Sequence, residues 1–307
     1  MPEEPTRLPF EIDDAIDPSL VTGRAGVPLA IELFRQLGVA ATIDAVVPIK
    51  QRQRGLRPSQ RVESLVALWV AGGDRCQDLM TLRDDQALAA LLGYALPAAT
   101  TVRDFLEAFP VETPPLWQTG PTAAGPHKAA PLAGRGRANR TLVAGLQQGA
   151  PVATATLDGD ATVVESHKEA APVAYDGTRG YQPVIVLWAE QDVVLHDEFR
   201  DGHVPAGCSN VRALEQAAAA PPSGKFEANA AWFRLNALTY NLLTALKRLT
   251  LPGDFRTARP KRLRFLLFNT VGKVVHHARR ALLRLTEAVH HALLIGVRQR
   301  IAALAPT

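Results

Sequence analysis

The 307-residue sequence has little of several residue types, and each shortage excludes a class of protein. Its two cysteines, Cys76 and Cys208, are far apart and lie in no CxxC or metal-ligand spacing, which excludes a disulfide-rich or zinc-finger fold. No apolar run approaches the roughly 18 residues that a membrane span requires. The first residues are acidic and lack the apolar stretch of a signal peptide. We therefore expect a soluble, cytoplasmic protein with reduced thiols.

Acidic residues are scarce in the last quarter of the chain. From Lys225 to Thr307, four lysines and eleven arginines are opposed by only Glu227, Asp254 and Glu287, a net charge of +12, whereas the preceding residues carry −8. This asymmetry predicts a polyanionic partner, nucleic acid rather than a membrane surface, although a solvated polar face remains the alternative. The guanidinium groups suit phosphate contacts. The residues predicted to bind DNA are Arg248, Arg256, Arg259, Lys261, Arg262, Arg264, Arg279 and Arg280.

Hydrophobic residues make up 47% of the chain and charged residues 21%, so a packed core is expected. The patterns predict an α/β protein. Its parts are a helical, DNA-binding-like N-terminal domain at 1–109, a Pro/Gly-rich linker at 110–137, a sheet at 138–220, and a basic, mainly helical segment at 221–307.

Helical periodicity dominates the N-terminal domain after a leader, residues 1–25, that we expect to be loose. Pro58-Ser59 predicts the start of a helix that ends near Gly72. Asp85 to Leu92 predicts a short helix, and Thr101-x-x-Asp104 resembles a capping box that starts another.

Three β-strands are predicted after the linker, over Val152–Val164, Pro183–Trp188 and Val193–Phe199. Gln191-Asp192 predicts a tight turn between the last two, which favours an antiparallel meander. Ser209 is expected to cap a helix from Leu214 to Ala220. Three such strands followed by a helix, with carboxylates in the first strand, are the opening of an RNase H-like fold.

Asp158 and Asp160 are the candidate catalytic residues. They lie two apart in the first predicted strand and so share one face. Divalent cations that bridge a phosphodiester need hard oxygen ligands held rigidly together. Glu165 is expected on the opposite face from Asp160 and is not expected to be a co-ligand. The alternative is that Asp158-Gly159-Asp160 forms a turn or an edge feature.

The C-terminal segment begins with a predicted helix over Ala228–Leu249. From Lys261 to Arg284 the pattern fits strand and helix about equally, and we favour a hairpin around Asn269 to Gly272. A helix from about Thr286 to Leu304 is expected to follow. The paired histidines at 276–277 and 290–291 are expected to be solvated, since a zinc site would need them to be brought together.

Seven stretches of the chain carry a family resemblance: 55–65, 98–105, 154–168, 180–183, 188–195, 198–207 and 225–242. They are similar to bacterial insertion-sequence transposases of the DDE type, and residues 154–168 resemble the first catalytic strand of that family. The resemblance covers most of the chain and implies an RNase H-like core that cuts and joins DNA at transposon ends.

The resemblance implies that three carboxylates hold two Mg²⁺ ions. The first of these catalytic carboxylates maps onto the strand of Asp158 and Asp160, and Asp160 is the preferred metal ligand. The family's second Asp, and its Glu in a Y-x2-R-x3-E-x6-K helix, have no counterpart here. Glu215 and Glu227 lie near the gap, but in no matching context. An internal segment between about Ala220 and Pro221 is therefore interpreted as lost, so that the sheet is incomplete and Mg²⁺ binding is impaired.

Three hypotheses follow from this interpretation. The chain is an active transposase with carboxylates supplied from elsewhere, a non-enzymatic DNA-binding relic or regulator of full-length transposases, or a product that does not fold stably. The expected partner is double-stranded DNA at transposon ends. The chain is also expected to form a homo-oligomer, or a mixed oligomer with full-length transposase. The expected location is the bacterial cytoplasm, in association with the nucleoid.

Overall fold

The structure, a computed structural model, combines helices with small antiparallel sheets. It describes residues 17, 20–47, 55–109, 130–167, 171–174, 176–200, 202, 213, 214, 217, 228–277, 280–286 and 288–304.

The N-terminal part is helical, as predicted. Pro58 in the first turn and Gly72 in a left-handed conformation (φ 105°) set the ends of its longest helix. Asp85 caps another through a bond from Leu88 N to Oδ1 (2.8 Å). The elements are β1 (Val21–Thr22), α1 (Val27–Gln36), α2 (Val39–Val46), α3 (Pro58–Ala71), α4 (Leu79–Arg83), α5 (Gln86–Leu92) and α6 (Ala99–Glu107).

Two local predictions in this part are wrong. Helix α6 begins at Ala99, after an N-cap at Ala98 that makes no side-chain bond, so Thr101 lies inside the helix and does not cap it. The leader is also not loose throughout, because strand β1 lies within residues 1–25.

Helix α7 (Ala130–Gly149) begins inside the segment predicted to be a linker. Residues 130–137 are therefore helical, and only 110–129, which lie outside the described residues, keep the linker prediction. Pro131 occupies the second position of α7, where a helix tolerates proline because its first amides have no partner within the helix.

The predicted antiparallel meander is present, but its first strand is much shorter than the predicted Val152–Val164, since residues 152–156 form no strand and Val164 belongs to a separate one. Its strands are β2 (Leu157–Ala161), β5 (Val184–Trp188) and β6 (Val193–Glu198), in the order β2-β5-β6. A separate pair, β3 (Val164–Glu165) and β4 (Gly180–Tyr181), lies between them in the chain. The mixed architecture agrees with the α/β prediction, while the RNase H-like core stays a prediction.

One face of the β2-β5-β6 sheet is covered by the helical residues Ala213, Leu214 and Ala217. They form a small core with Val184 and Val186. These three residues fall in or beside the predicted Leu214–Ala220 helix; its predicted cap, Ser209, lies outside the described residues.

The C-terminal part starts with α8 (Ala228–Leu249), which has the predicted bounds. Next come a 3₁₀ turn (Gly253–Phe255), the short helix α9 (Pro260–Leu263) and a π-helical turn (Arg264–Phe268). The last elements are β7 (Gly272–His277), β8 (Arg280–Leu285) and α10 (Ala288–Ala303).

The hairpin prediction placed the reversal at the wrong residues. The antiparallel partners run from Gly272 opposite Leu285 to His277 opposite Arg280, so Gly272 starts the first strand. The chain reverses between His277 and Arg280, where the sequence has no Gly, Asn or Pro to signal a turn.

The two ends of the chain are joined through backbone pairing and one core. Strand β1 extends the β7-β8 hairpin, with Val21 opposite Lys273. The main hydrophobic core combines side chains from α1, α3, α7, α8 and α10, and Trp69 meets Trp232 edge to face at 4.8 Å. None of the described helices is long and apolar enough to cross a membrane. The domain boundaries stay predictions.

Candidate active-site strand and basic surface

The two candidate catalytic carboxylates lie on the open face of β2. Asp158 and Asp160 are exposed, whereas Gly159 between them faces the packed side, where a Cβ would lie 3.4 Å from Leu214 Cδ2. The alternation of a strand explains this arrangement. Asp158-Gly159-Asp160 is therefore part of a regular strand, and the alternative of a turn at these residues is wrong. The other form of that alternative, an edge feature, agrees with the structure, because β2 is an edge strand of the β2-β5-β6 sheet.

Local hydrogen bonds occupy both carboxylate oxygens of Asp160. Oδ1 accepts from Ala161 N (2.8 Å) and Oδ2 accepts from the Thr162 hydroxyl (3.2 Å). These bonds form at the end of β2 and hold the side chain of Asp160 against the two residues that follow it. A metal ion bound to this carboxylate would have to compete with them.

A third carboxylate lies on the same face, two strands away. Asp160 is opposite Ile185, which is opposite Asp197, so the two acids are about 10 Å apart across the sheet. Arg234 of α8 binds Asp197 through Nε (2.5 Å to Oδ2) and through the backbone oxygen (3.2 Å from Nη2). This pairing neutralises Asp197 and removes it as a metal ligand.

Glu165 lies apart from this face, but not on the opposite face of the same strand as predicted. It belongs to β3, which pairs with β4 outside the β2-β5-β6 sheet. Within the described residues, no group of three His, Cys, Asp or Glu side chains could hold a metal ion. Transposase DDE domains generally use a divalent metal such as Mg²⁺. The two exposed carboxylates on β2 do not fit a site for two such ions, because two-metal chemistry needs converging ligands.

A compact basic surface lies between α8 and the β7-β8 hairpin in the chain. Its four cations are exposed and lie within residues 256–262, which run from the end of the 3₁₀ turn into α9. Among the described residues, the one ion pair that these cations form is that of Arg262 with Asp254, which is 3.9 Å long and largely exposed. We call Arg256, Arg259, Lys261 and Arg262 the basic surface.

The other predicted DNA contacts have different environments. Arg248 donates through Nη2 to the backbone oxygen of Glu190 and so holds the β5–β6 turn. Arg264 donates through Nη2 to Trp69 O at 3.4 Å. Arg280 is the first residue of β8, and its side chain, like the whole of Arg279, lies outside the described residues.

One cationic pair was missed by the sequence reasoning. Lys273 of β7 and Arg284 of β8 are directly opposite each other, and both are exposed. Like charges at such positions repel, which favours an anion above them. The ten residues between them in the chain hide this juxtaposition, and only the correct strand register would have found it.

The comparison with protein families finds a match in the C-terminal part. Residues 217–306 match the family described as Transposase DDE domain group 1. The match confirms the resemblance to a DDE transposase of insertion-sequence type. It includes the basic surface and starts after Asp158 and Asp160, so it does not cover strand β2. No curated protein and no solved structure matches the chain.

Proposed function

We propose that this chain acts in DNA transposition by binding double-stranded DNA at transposon ends, and that it does not cut DNA by itself. The observation that carries the proposal is the basic surface, whose four cations are exposed within seven residues next to one acidic group, Asp254. Phosphates neutralised by such side chains release counterions, and this release supplies sequence-independent affinity. The transposase family match includes these residues and suggests that the polyanion is DNA.

The state of the carboxylates supports the second half of the proposal. Among the described residues, the third acidic group on the open face is Asp197, which is about 10 Å from Asp160 and paired with Arg234. A two-metal mechanism needs ligands around both ions. The mapping of Asp160 as first ligand, and the loss of the other two carboxylates, remain parts of this proposal.

Fluorescence anisotropy with labelled transposon-end DNA over a range of salt concentrations tests the binding. The triple variant Arg256→Gln, Arg259→Gln, Lys261→Gln is expected to flatten the log–log salt slope by about 3, because each lost phosphate contact removes about 0.9. A matched control removes three exposed arginines of the helical part: Arg75→Gln, Arg83→Gln and Arg103→Gln. Equal losses in both variants would mean that net charge, and not this surface, binds DNA.

Incubation of the same DNA with Mg²⁺ tests the absence of cleavage. We expect neither strand cutting nor joining by the chain alone. Cutting that is abolished by Asp160→Ala, and retained by the adjacent Thr162→Val, would contradict the proposal and favour an active enzyme. A folded wild-type chain that shows no salt-dependent binding of this DNA would contradict the DNA-binding half of the proposal.

A further inference from the structure

Phe265 is the most exposed large apolar side chain in the described part of the chain, with 75% of its surface accessible. A single exposed apolar residue is ordinary in proteins and proves nothing by itself. Its surroundings are what distinguish it. Phe265 lies in the π-helical turn that directly follows α9, and π-helical turns are rare and frequently occur at functional sites.

The exposure of Phe265 is fixed by buried neighbours on the other side of the turn. Leu263 and Leu267 are fully buried, and Arg264 points inward, where it donates to Trp69 O. These contacts anchor the turn from both sides of Phe265. The ring is therefore held outward by a packed element.

Cations share the outward side of this element with Phe265. Lys261 and Arg262 precede it by four and three residues, the spacing at which helical side chains are neighbours, and both are exposed. Arg262 is itself placed by the ring of Phe255, with its guanidinium carbon 5.1 Å from the ring centroid. Asp254 is the one acidic residue in the whole of 228–286.

We propose that Phe265 stacks on an unpaired base of DNA whose backbone phosphates are held by Lys261 and Arg262. An exposed aromatic ring beside cations is the arrangement that binds single-stranded nucleic acid, because every base has a π-face and every link carries a phosphate. The ring cannot stack on a base inside an intact duplex without unstacking it. The surface therefore prefers DNA with unpaired bases at an end, and this preference rests on the DNA binding proposed above.

Anisotropy with two DNAs of equal length, one fully paired and one with a three-base overhang, tests the proposal. Phe265→Ala is expected to weaken binding of the overhang DNA about tenfold, because one stacked base is lost, and to leave the affinity for the paired DNA unchanged. Phe265→Trp should retain the preference. A 2-aminopurine base in the overhang should be quenched by the wild-type chain and less by Phe265→Ala.

The outcomes are distinguishable from those of the proposed function. If the wild-type chain binds neither DNA in a salt-dependent way, the DNA-binding proposal fails and this one fails with it. If it binds both DNAs and Phe265→Ala changes neither affinity, only the stacking proposal is overturned. It is also overturned if Phe265→Ala instead abolishes self-association in sedimentation velocity, because a second copy of the chain would then cover the ring. A melting curve for each variant shows that it is folded.

Discussion

Asn241 holds both backbone groups of Val194. Its Oδ1 accepts from Val194 N at 2.7 Å and its Nδ2 donates to Val194 O at 2.8 Å. The bond to Val194 N pairs an amide at the outer edge of β6 that a neighbouring strand would otherwise pair, while Val194 O also accepts from Asn139 Nδ2 at 2.8 Å. A side-chain amide of α8 thus occupies the place of the next strand, and it fixes the meander to the main helices.

Asn241→Ala is expected to lower the free energy of unfolding by about 2–3 kcal/mol, because a buried N–H loses its partner. The matched control is Asn236→Ala on the same helix, whose amide donates to Trp232 O one turn back. That change should cost at most a few tenths of a kcal/mol, since alanine has the higher helix propensity. Urea unfolding measures both, and equal effects would contradict the edge-pairing interpretation.

The Arg35–Glu63 pair should contribute far more than the Arg298–Glu32 pair. Both are bidentate, but Glu63 is fully buried, whereas Arg298 is 70% exposed. Arg35→Leu leaves a buried carboxylate uncompensated and is expected to cost about 3 kcal/mol. Arg298→Leu should cost about 1 kcal/mol or less.

A double variant, Arg35→Leu with Glu63→Leu, separates the interaction from the desolvation of the charge. Replacing a whole buried pair with apolar groups is often nearly neutral, so much of the lost stability should return. If the double variant is as unstable as Arg35→Leu alone, the cost arises from packing and not from the unpaired carboxylate.

Gly26 joins the N-terminal part to the π-helical turn, and substitution there should disrupt that contact. A Cβ at this position would lie 1.8 Å from Leu267 O, and Gly26 N already donates to Phe268 O (3.2 Å). Gly26→Ala is therefore expected to destabilise the protein by about 2–3 kcal/mol through forced displacement of backbone. Gly23→Ala, which meets nothing within 4 Å, is the control, and a comparable loss there would contradict the clash.

The stabilising bond between Thr156 and Glu190 should disappear in acid. The Glu190 carboxylate accepts from the Thr156 hydroxyl and from Thr156 N, and these hydrogen bonds lower its pKa. A lowered pKa in the folded state adds stability above the pKa of the unfolded chain and loses it as the pH falls through the folded value. Thr156→Val should therefore be less stable than wild type at pH 7, with a difference in stability that closes as the pH falls below the ordinary glutamate pKa of about 4.3.

The Glu190→Gln background supplies the control for this titration. There the same Thr156→Val change should show a gap that does not vary with pH, because no carboxylate remains at the acceptor. A wild-type gap that stays constant or widens in acid would contradict the assignment. Urea midpoints at four or five pH values are sufficient.

Elements with a strong local signal were predictable from the sequence. Helix α8 has its predicted bounds because a long apolar stripe repeats at helical spacing. The β5–β6 turn was recognised from Gln191-Asp192, and Asp192 adopts a left-handed conformation (φ 56°), which acidic side chains tolerate better than most. The shared face of Asp158 and Asp160 followed from strand alternation alone.

Features that depend on distant residues were not predictable. The pairing of β1 with β7 joins residues at opposite ends of the chain, and no local pattern in Val21–Thr22 indicates it. The neutralisation of Asp197 by Arg234 depends on how α8 lies across β6, so no local pattern around Asp197 indicates this pairing. The hairpin reversal after His277 lacks turn residues and could be placed only by the register of its strands.

The β1–β7 pairing has a consequence for how the protein is made. Val21 leaves the ribosome about 250 residues before its partner Lys273, which at 5–20 residues per second is a wait of roughly 10–50 s. During this time the N-terminal helices have neither α8 nor α10 to complete their core. Nascent chains shorter than about 285 residues should consequently be sensitive to protease and should recruit chaperones.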